Sequence, residues 1–174
     1  TGSITKSLLD FHALRAQGYS LSTGTITLTS DNKSALFYIK NNDAQNIVVD
    51  SFNVCLEAAT GATAQKGVAI SVVRNPTAGT LISGATAITQ GNKNFNSTGT
   101  LDADIFKGAE GSTLTDGTDV LTYFAAPPAR VLYREGQWVL PRGASLGLTV
   151  TPPANNTSMG ICISFQVFRE IEVL

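Results

Sequence analysis

The side chains that most often carry catalysis are scarce in this 174-residue sequence. It contains one histidine, His12, beside Phe11 near the start of the chain. Zinc sites built from imidazoles and cupin-type metal centres need several His or carboxylate ligands that converge on one ion. A Ser–His–acid triad would have to recruit His12 from a segment that we expect to dock at the periphery. We therefore expect a protein that is not an enzyme.

Acidic residues collect in the irregular stretch 90–117 and just beyond it. They are Asp102, Asp104, Glu110, Asp116 and Asp119. Clustered carboxylates could bind Ca²⁺, and a pair such as Asp102 and Asp104 could serve a glycosidase. Their spacing matches no calcium loop, however, and no aromatic cleft is indicated beside them. We expect neither a metal site nor a cofactor.

The two cysteines, Cys55 and Cys162, fall inside predicted strands, each on the side opposite the larger apolar residues. A disulfide needs Cα atoms no more than about 7 Å apart, and spacing in the sequence does not show that distance. We favour two free thiols that lie under a loop or a neighbouring chain.

Alternation of apolar and polar residues predicts β-strands through most of the chain. The runs 145–151 and 161–168 each place their apolar residues at every second position. Because side chains two apart on a strand share a face, each run has one apolar side. Polar turn residues connect the runs, which predicts a hairpin. Its apolar face needs a second sheet to cover it.

The remaining chain supports an all-β fold. Sixteen glycines and many Thr and Ser residues indicate short strands with numerous turns. We count about eight to ten strands, which predicts a jelly-roll-like β-sandwich that forms one domain over residues 21–174. Residues 1–20 are predicted to be an N-terminal arm or short helix. Only 14% of the residues are charged, which favours a surface that partners partly cover.

The N-terminal segment is the one convincing helical candidate. Ser3 can cap a helix over residues 4–17, and Gly18 can end it. An isolated helix of this length is marginal in water, so it must dock. It either packs on its own sandwich or reaches another subunit. The residues that we predict to bind a partner are Ile4, Leu8, Phe11, His12 and Leu14.

Charge and hydropathy indicate neither nucleic acid nor membrane as a partner. The formal net charge is −1, which gives no electrostatic reason for binding DNA or an acidic membrane. No run approaches about 18 consecutive apolar residues, and no charged-then-apolar leader is visible.

Several turn-and-strand motifs follow one another between residues 22 and 168: STGTITLT at 22–29, FYIKN at 37–41, RNPT at 74–77 with GT at 79–80, KGAEG at 107–111, LPRGAS at 140–145 and TPP at 151–153. Their order resembles that in the small virion proteins that decorate, or cement, the heads of tailed bacteriophages. The resemblance implies a jelly-roll subunit that forms a homotrimer and binds to a lattice of the major capsid protein. It implies a location on the capsid surface of the virion, after synthesis in the host cytoplasm. It carries over no catalytic residues.

Two other interpretations remain open from the sequence. A tail-fibre or receptor-binding tip would share the trimeric jelly roll. A carbohydrate-binding sandwich would present exposed aromatic residues in a row, for which Trp138 and the acidic loops are the only indications.

Overall fold

The computed structural model describes residues 15–58, 67–133, 138–154 and 158–170. Within them the chain forms two antiparallel sheets and one four-residue helix, so the predicted all-β sandwich is confirmed. Ten of the strands have three or more residues, as expected, and two further strands have two residues each. The helix, α1, spans Thr80–Ser83.

The strands follow one another with short connections. They are β1 (Gly18–Leu28), β2 (Ser34–Asn41), β3 (Ile47–Ala58), β4 (Val68–Arg74), β5 (Thr86–Ala87), β6 (Gly91–Asn92), β7 (Ala103–Lys107), β8 (Thr118–Ala125), β9 (Ala129–Tyr133), β10 (Trp138–Leu140), β11 (Ser145–Thr151) and β12 (Met159–Arg169).

The connectivity is that of a jelly roll. The first sheet has the order β10-β3-β12-β1-β6, with β9 also paired to β3, and the second has the order β5-β7-β2-β11-β4-β8. The chain crosses between the sheets from β1 to β2, from β2 to β3 and from β3 to β4, and it does so again from β8 to β9 and from β10 through β12. Strand β1 pairs with β12, β2 with β11, β3 with β9 and β10, and β4 with β8. These four antiparallel pairs, nested one within the next along the chain, are the strand pairs of a jelly roll.

The predicted hairpin of residues 145–151 with 161–168 is wrong. Strand β11 lies between β2 and β4 in the second sheet, while β12 lies between β3 and β1 in the first. The connection between them therefore crosses the sandwich instead of turning within one sheet. The physical reason is that alternation gives each run an apolar side but does not determine its neighbours, because a strand in either sheet can bury that side between the sheets.

Aromatic rings fill the centre of the core between the sheets. Phe165 on β12 stacks on Phe37 of β2, with ring centroids 4.1 Å apart, and on Phe52 of β3 at 5.3 Å. All three side chains are buried. The inward positions that alternation predicts on β3 and β12 are thus occupied as expected, and the contacts of Phe165 join both sheets.

The outer face of the second sheet is covered by the insertion between β4 and β8. Leu81 of helix α1 packs with Ala35 and Tyr38 in a small second cluster, which Leu114 also contacts. A Cβ added to Gly147 on β11 would lie 2.3 Å from Leu114, so the insertion sits directly on the strand. This cover explains why β11 is buried on both faces.

Hydrogen bonds to the backbone carbonyls of Ala16 and Gln17 attach the residues before β1 to the sandwich. Strand β1 begins at Gly18, two residues before the predicted end of the arm. The carbonyl of Ala16 accepts hydrogen bonds from Tyr19 Oη at 3.2 Å and Asn92 Nδ2 at 3.0 Å. The backbone N–H of Arg169 donates to the carbonyl of Gln17 at 2.9 Å. The folded domain therefore includes residues 16 and 17.

Candidate interaction surface

The edge strands on the two sides of the sandwich differ in length. On one side the outermost strands are β5 and β6, each of two residues. On the other side the eight-residue β8 borders the second sheet, and β9 with β10 borders the first. Among the described residues, β8 pairs only with β4. A long strand paired on one side presents backbone donors and acceptors to a further strand.

Both faces of the bordering strand β8 carry apolar side chains. Leu121 and Tyr123 point inward and pack against the core. Val120 and Phe124 are exposed, and 77% of Phe124 is accessible to solvent. Strands at the rim of a sandwich usually place polar groups on the outer face, so this pattern makes β8 a candidate for contact with another chain.

Exposed apolar residues are concentrated on this side of the molecule. In the described part of the chain five large hydrophobic residues are exposed, and four of them lie on these three strands. We call this surface the apolar edge: Val120 and Phe124 on β8, Leu132 on β9 and Val139 on β10. The fifth exposed residue, Phe95, lies in a loop after β6.

Few charges interrupt the apolar edge. Asp119 and Arg130 are the charged residues in β8, β9 and β10. Asp119 is paired with Lys33 at 3.5 Å, and Arg130 donates from Nε to Asn53 Oδ1 at 2.7 Å. The centres of protein interfaces are depleted of charged residues, so this composition favours a protein partner.

A groove of about 630 Å³ opens at the apolar edge, between the two sheets. Val120 of β8 lines one side, and Trp138 and Val139 of β10 line the other. Arg74 and Asn75, at the end of β4, are the most polar residues that line it. The groove can accept an apolar side chain from a partner.

An aromatic stack supports the wall of the groove. The ring of Trp138 lies on that of Tyr133, with centroids 4.6 Å apart, and 5.7 Å from Phe52. Tyr133 is in turn 5.2 Å from Phe52. Because Trp138 is half-buried in this stack, it does not stand in an exposed row of aromatic residues of the kind expected for a sugar platform.

The acidic residues of 102–119 do not converge. Glu110 binds the loop after β1, Asp116 accepts a hydrogen bond from Thr77 Oγ1 at 2.6 Å, and Asp119 pairs with Lys33. Asp104 lies opposite Lys40 in the β2–β7 ladder. No group of three or more His, Cys, Asp or Glu that could hold a metal ion occurs among the residues that the structure describes.

The residues predicted to bind a partner lie outside the described residues. They are Ile4, Leu8, Phe11, His12 and Leu14. The apolar edge was not predicted, although its signal is present in the sequence as pairs of adjacent large apolar residues at 120–121, 123–124, 131–132 and 138–139. Such pairs place an apolar side chain on each face of a strand.

Comparison with known proteins gives only distant likenesses. No protein-family model and no curated protein matches the sequence. Among solved structures, 90% of the chain aligns with chains of the Gt strain of infectious bursal disease virus and of T=1 particles derived from that virus, at 10% identity, with TM-scores of 0.23 and 0.24. The chain spans 41% of those proteins, and the scores are too low for the likeness to carry an argument. Within the described ranges, no helix is long and apolar enough to cross a membrane.

Proposed function

We propose that this chain is a non-enzymatic structural protein of a virion, which decorates the outer surface of a phage head and stabilises it. The observation that carries the proposal is the apolar edge. A jelly roll with a long half-paired border strand and exposed apolar residues is suited to permanent assembly, in which the edge is covered. The resemblance of the strand and turn motifs to phage head decoration proteins supports the same function.

A second copy of the chain is the partner that we assign to the apolar edge. Closed symmetry is the usual outcome for homo-oligomers, and we expect a trimer. Interfaces that persist are more apolar than those that form transiently, which fits an edge with two charged residues on three strands. The groove beside Trp138 provides a recess, and the exposed ring of Phe124, toward the other end of the β4–β8 pair, provides a projection.

The major capsid protein is the second partner, and the N-terminal segment is our candidate for that contact. The segment enters the sandwich at Ala16 and Gln17, just before the start of β1, whereas the apolar edge is formed by β8, β9 and β10. Self-association and attachment to the shell would therefore use separate parts of the chain. Many weak contacts repeated over a symmetric lattice add through effective concentration.

Three measurements test this function. Light scattering coupled to size exclusion should give a mass about three times 18.2 kDa, and a monomer at micromolar concentration would contradict the assembly. Antibodies against the purified chain should label the heads of virions from the source of this sequence. Label confined to the tails would instead identify a tail-fibre or receptor-binding protein, and a positive glycan array without particle labelling would identify a carbohydrate-binding module.

A further inference from the structure

The two cysteines lie directly opposite each other on neighbouring strands. Cys55 on β3 and Cys162 on β12 are Cα partners in the antiparallel ladder. Both are free and partly exposed, while Val54, Leu56, Ile161 and Ile163 beside them are buried. The thiols therefore share the outer face of the first sheet, as predicted, and they are accessible to small reagents.

The ladder also defines the kind of pair that the cysteines form. The N–H of Ile163 is directed to β1, where it donates to Thr23 Oγ1 at 3.1 Å. Successive N–H groups of a strand point to opposite sides, so the N–H of Cys162 faces β3. Cys55 and Cys162 are thus a hydrogen-bonded pair, in which Cα atoms are about 5.5 Å apart. That separation is within the range that a disulfide spans.

Polar neighbours hold the two sulfur atoms in the reduced protein. Asn53 Nδ2 donates to Cys55 Sγ at 3.3 Å, and Arg130 Nε donates to the Oδ1 of the same Asn53. On the other strand, Ser22 Oγ lies 4.0 Å from Cys162 Sγ. Arg130 and Thr25 are the register partners of Cys55 and Cys162 on the flanking strands. The thiols therefore occupy the centre of a polar row across four strands.

We propose that Cys55 and Cys162 form a reversible cross-strand disulfide by exchange with a low-molecular-weight disulfide such as oxidised glutathione. One cysteine thiolate attacks the glutathione disulfide and releases one glutathione thiol. The second thiolate attacks the protein sulfur of the mixed disulfide, forms the Cys55–Cys162 bond and releases the second glutathione. The two protein thiol protons end on the two glutathione molecules. This modification is independent of the proposed function.

The bond should be strained and therefore easily reduced. In a hydrogen-bonded pair the Cβ atoms are up to about 5.5 Å apart, whereas a disulfide prefers about 3.8 Å. Both side chains must turn away from Asn53 and Ser22, and the strands must approach, so the oxidised form is strained. Strained, accessible disulfides are the labile ones. The link nevertheless joins strands far apart in sequence, which constrains the unfolded chain.

The test is oxidation of the purified 174-residue chain with graded concentrations of oxidised glutathione, followed by intact mass measurement and thiol titration. We expect both thiols to disappear together, the mass to fall by two hydrogens with no glutathione adduct, and dithiothreitol to restore the thiols. Glutathione adducts that persist on both cysteines, or thiols that remain unreacted, would overturn the proposal.

A matched control moves one thiol along the same face. In the double variant Cys162→Ser, Ser164→Cys, the new thiol lies opposite Asn53 and diagonal to Cys55. Diagonal neighbours are about 7–8 Å apart, beyond the reach of a disulfide. This variant should take glutathione adducts and form no internal bond. An internal bond in the control as readily as in the wild type would show that register does not govern the reaction. The wild-type result stands alone if the variant does not fold.

Discussion

The carboxylate of Glu110 accepts two hydrogen bonds from Thr29, from the backbone N–H at 2.7 Å and from the hydroxyl at 2.8 Å. The N–H of Ser30 donates to the same carboxylate at 2.5 Å. These contacts join the turn after β1 to the loop after β7. The hydrogen bonds from Thr29 and Ser30 lower the pKa of Glu110 from 4.5 to about 2.

Stability should therefore depend on the protonation of Glu110 in acid. A group whose pKa is lower in the folded state contributes stability that is fully present above its unfolded value, here 4.5, and is lost as the pH falls toward about 2. We expect wild type to be more stable than Glu110→Gln at pH 6, with the difference shrinking between pH 4.5 and pH 2. Denaturant midpoints across this range measure it. A difference that is constant with pH would contradict the assignment, and Thr29→Val should reduce the effect in part.

The apolar edge should control self-association. Phe124→Ser removes an exposed ring from the edge, and Phe95→Ser removes a fully exposed ring elsewhere. A buried Phe contributes roughly 1.5–3 kcal/mol, so Phe124→Ser should weaken the oligomer by about tenfold or more. Light scattering over a dilution series measures this. Phe95→Ser should behave as wild type, and equal behaviour of the two variants would exclude the edge as the contact.

The N-terminal segment should be dispensable for folding when the cut is placed before residue 15. Removal of residues 1–14 leaves the carbonyls of Ala16 and Gln17, which Tyr19, Asn92 and Arg169 bind. Circular dichroism should show unchanged strand content and cooperative melting, and binding to virion shells should weaken. Removal of residues 1–17 should give a lower melting temperature than removal of residues 1–14, because it also removes those two carbonyls. If the chain without residues 1–14 fails to fold, and particles bound by the intact chain never show this segment in contact with another chain, the segment only covers its own sandwich.

Two glycines with positive φ should respond differently to alanine. Gly79 has φ of 122°, and a Cβ there would lie 2.2 Å from the carbonyl oxygen of Thr113. Gly143, in the turn closed by the Ala144 N–H to Pro141 carbonyl bond, has φ of 83° and open space around its Cβ position. Gly143→Ala should cost about 1–2 kcal/mol of unfolding free energy. Gly79→Ala should cost at least about 1 kcal/mol more, because it adds a clash with backbone to the strain. Urea unfolding measures the loss of unfolding free energy in each variant, and equal losses would contradict the prediction.

The sequence alone determined which residues alternate between core and surface within a strand. On β12 the inward set Ile161, Ile163 and Phe165 is buried as predicted, and Cys162 between them faces outward. The reason is local, since the two-residue period of a strand assigns faces without knowledge of its neighbours. Enough such strands, with turn residues between them, predicted a β-sandwich.

The tertiary structure decided which strands are neighbours and which edge stays open. Strand β7 was missed in the stretch 90–117 because its burial depends on pairing with β2, not on its own alternation. The separation of β11 from β12, the alignment of Cys55 with Cys162 and the exposure of Phe124 all follow from contacts between residues distant in sequence. A local pattern gives each strand an apolar side, but the register and order of the whole sheet determine what that side meets.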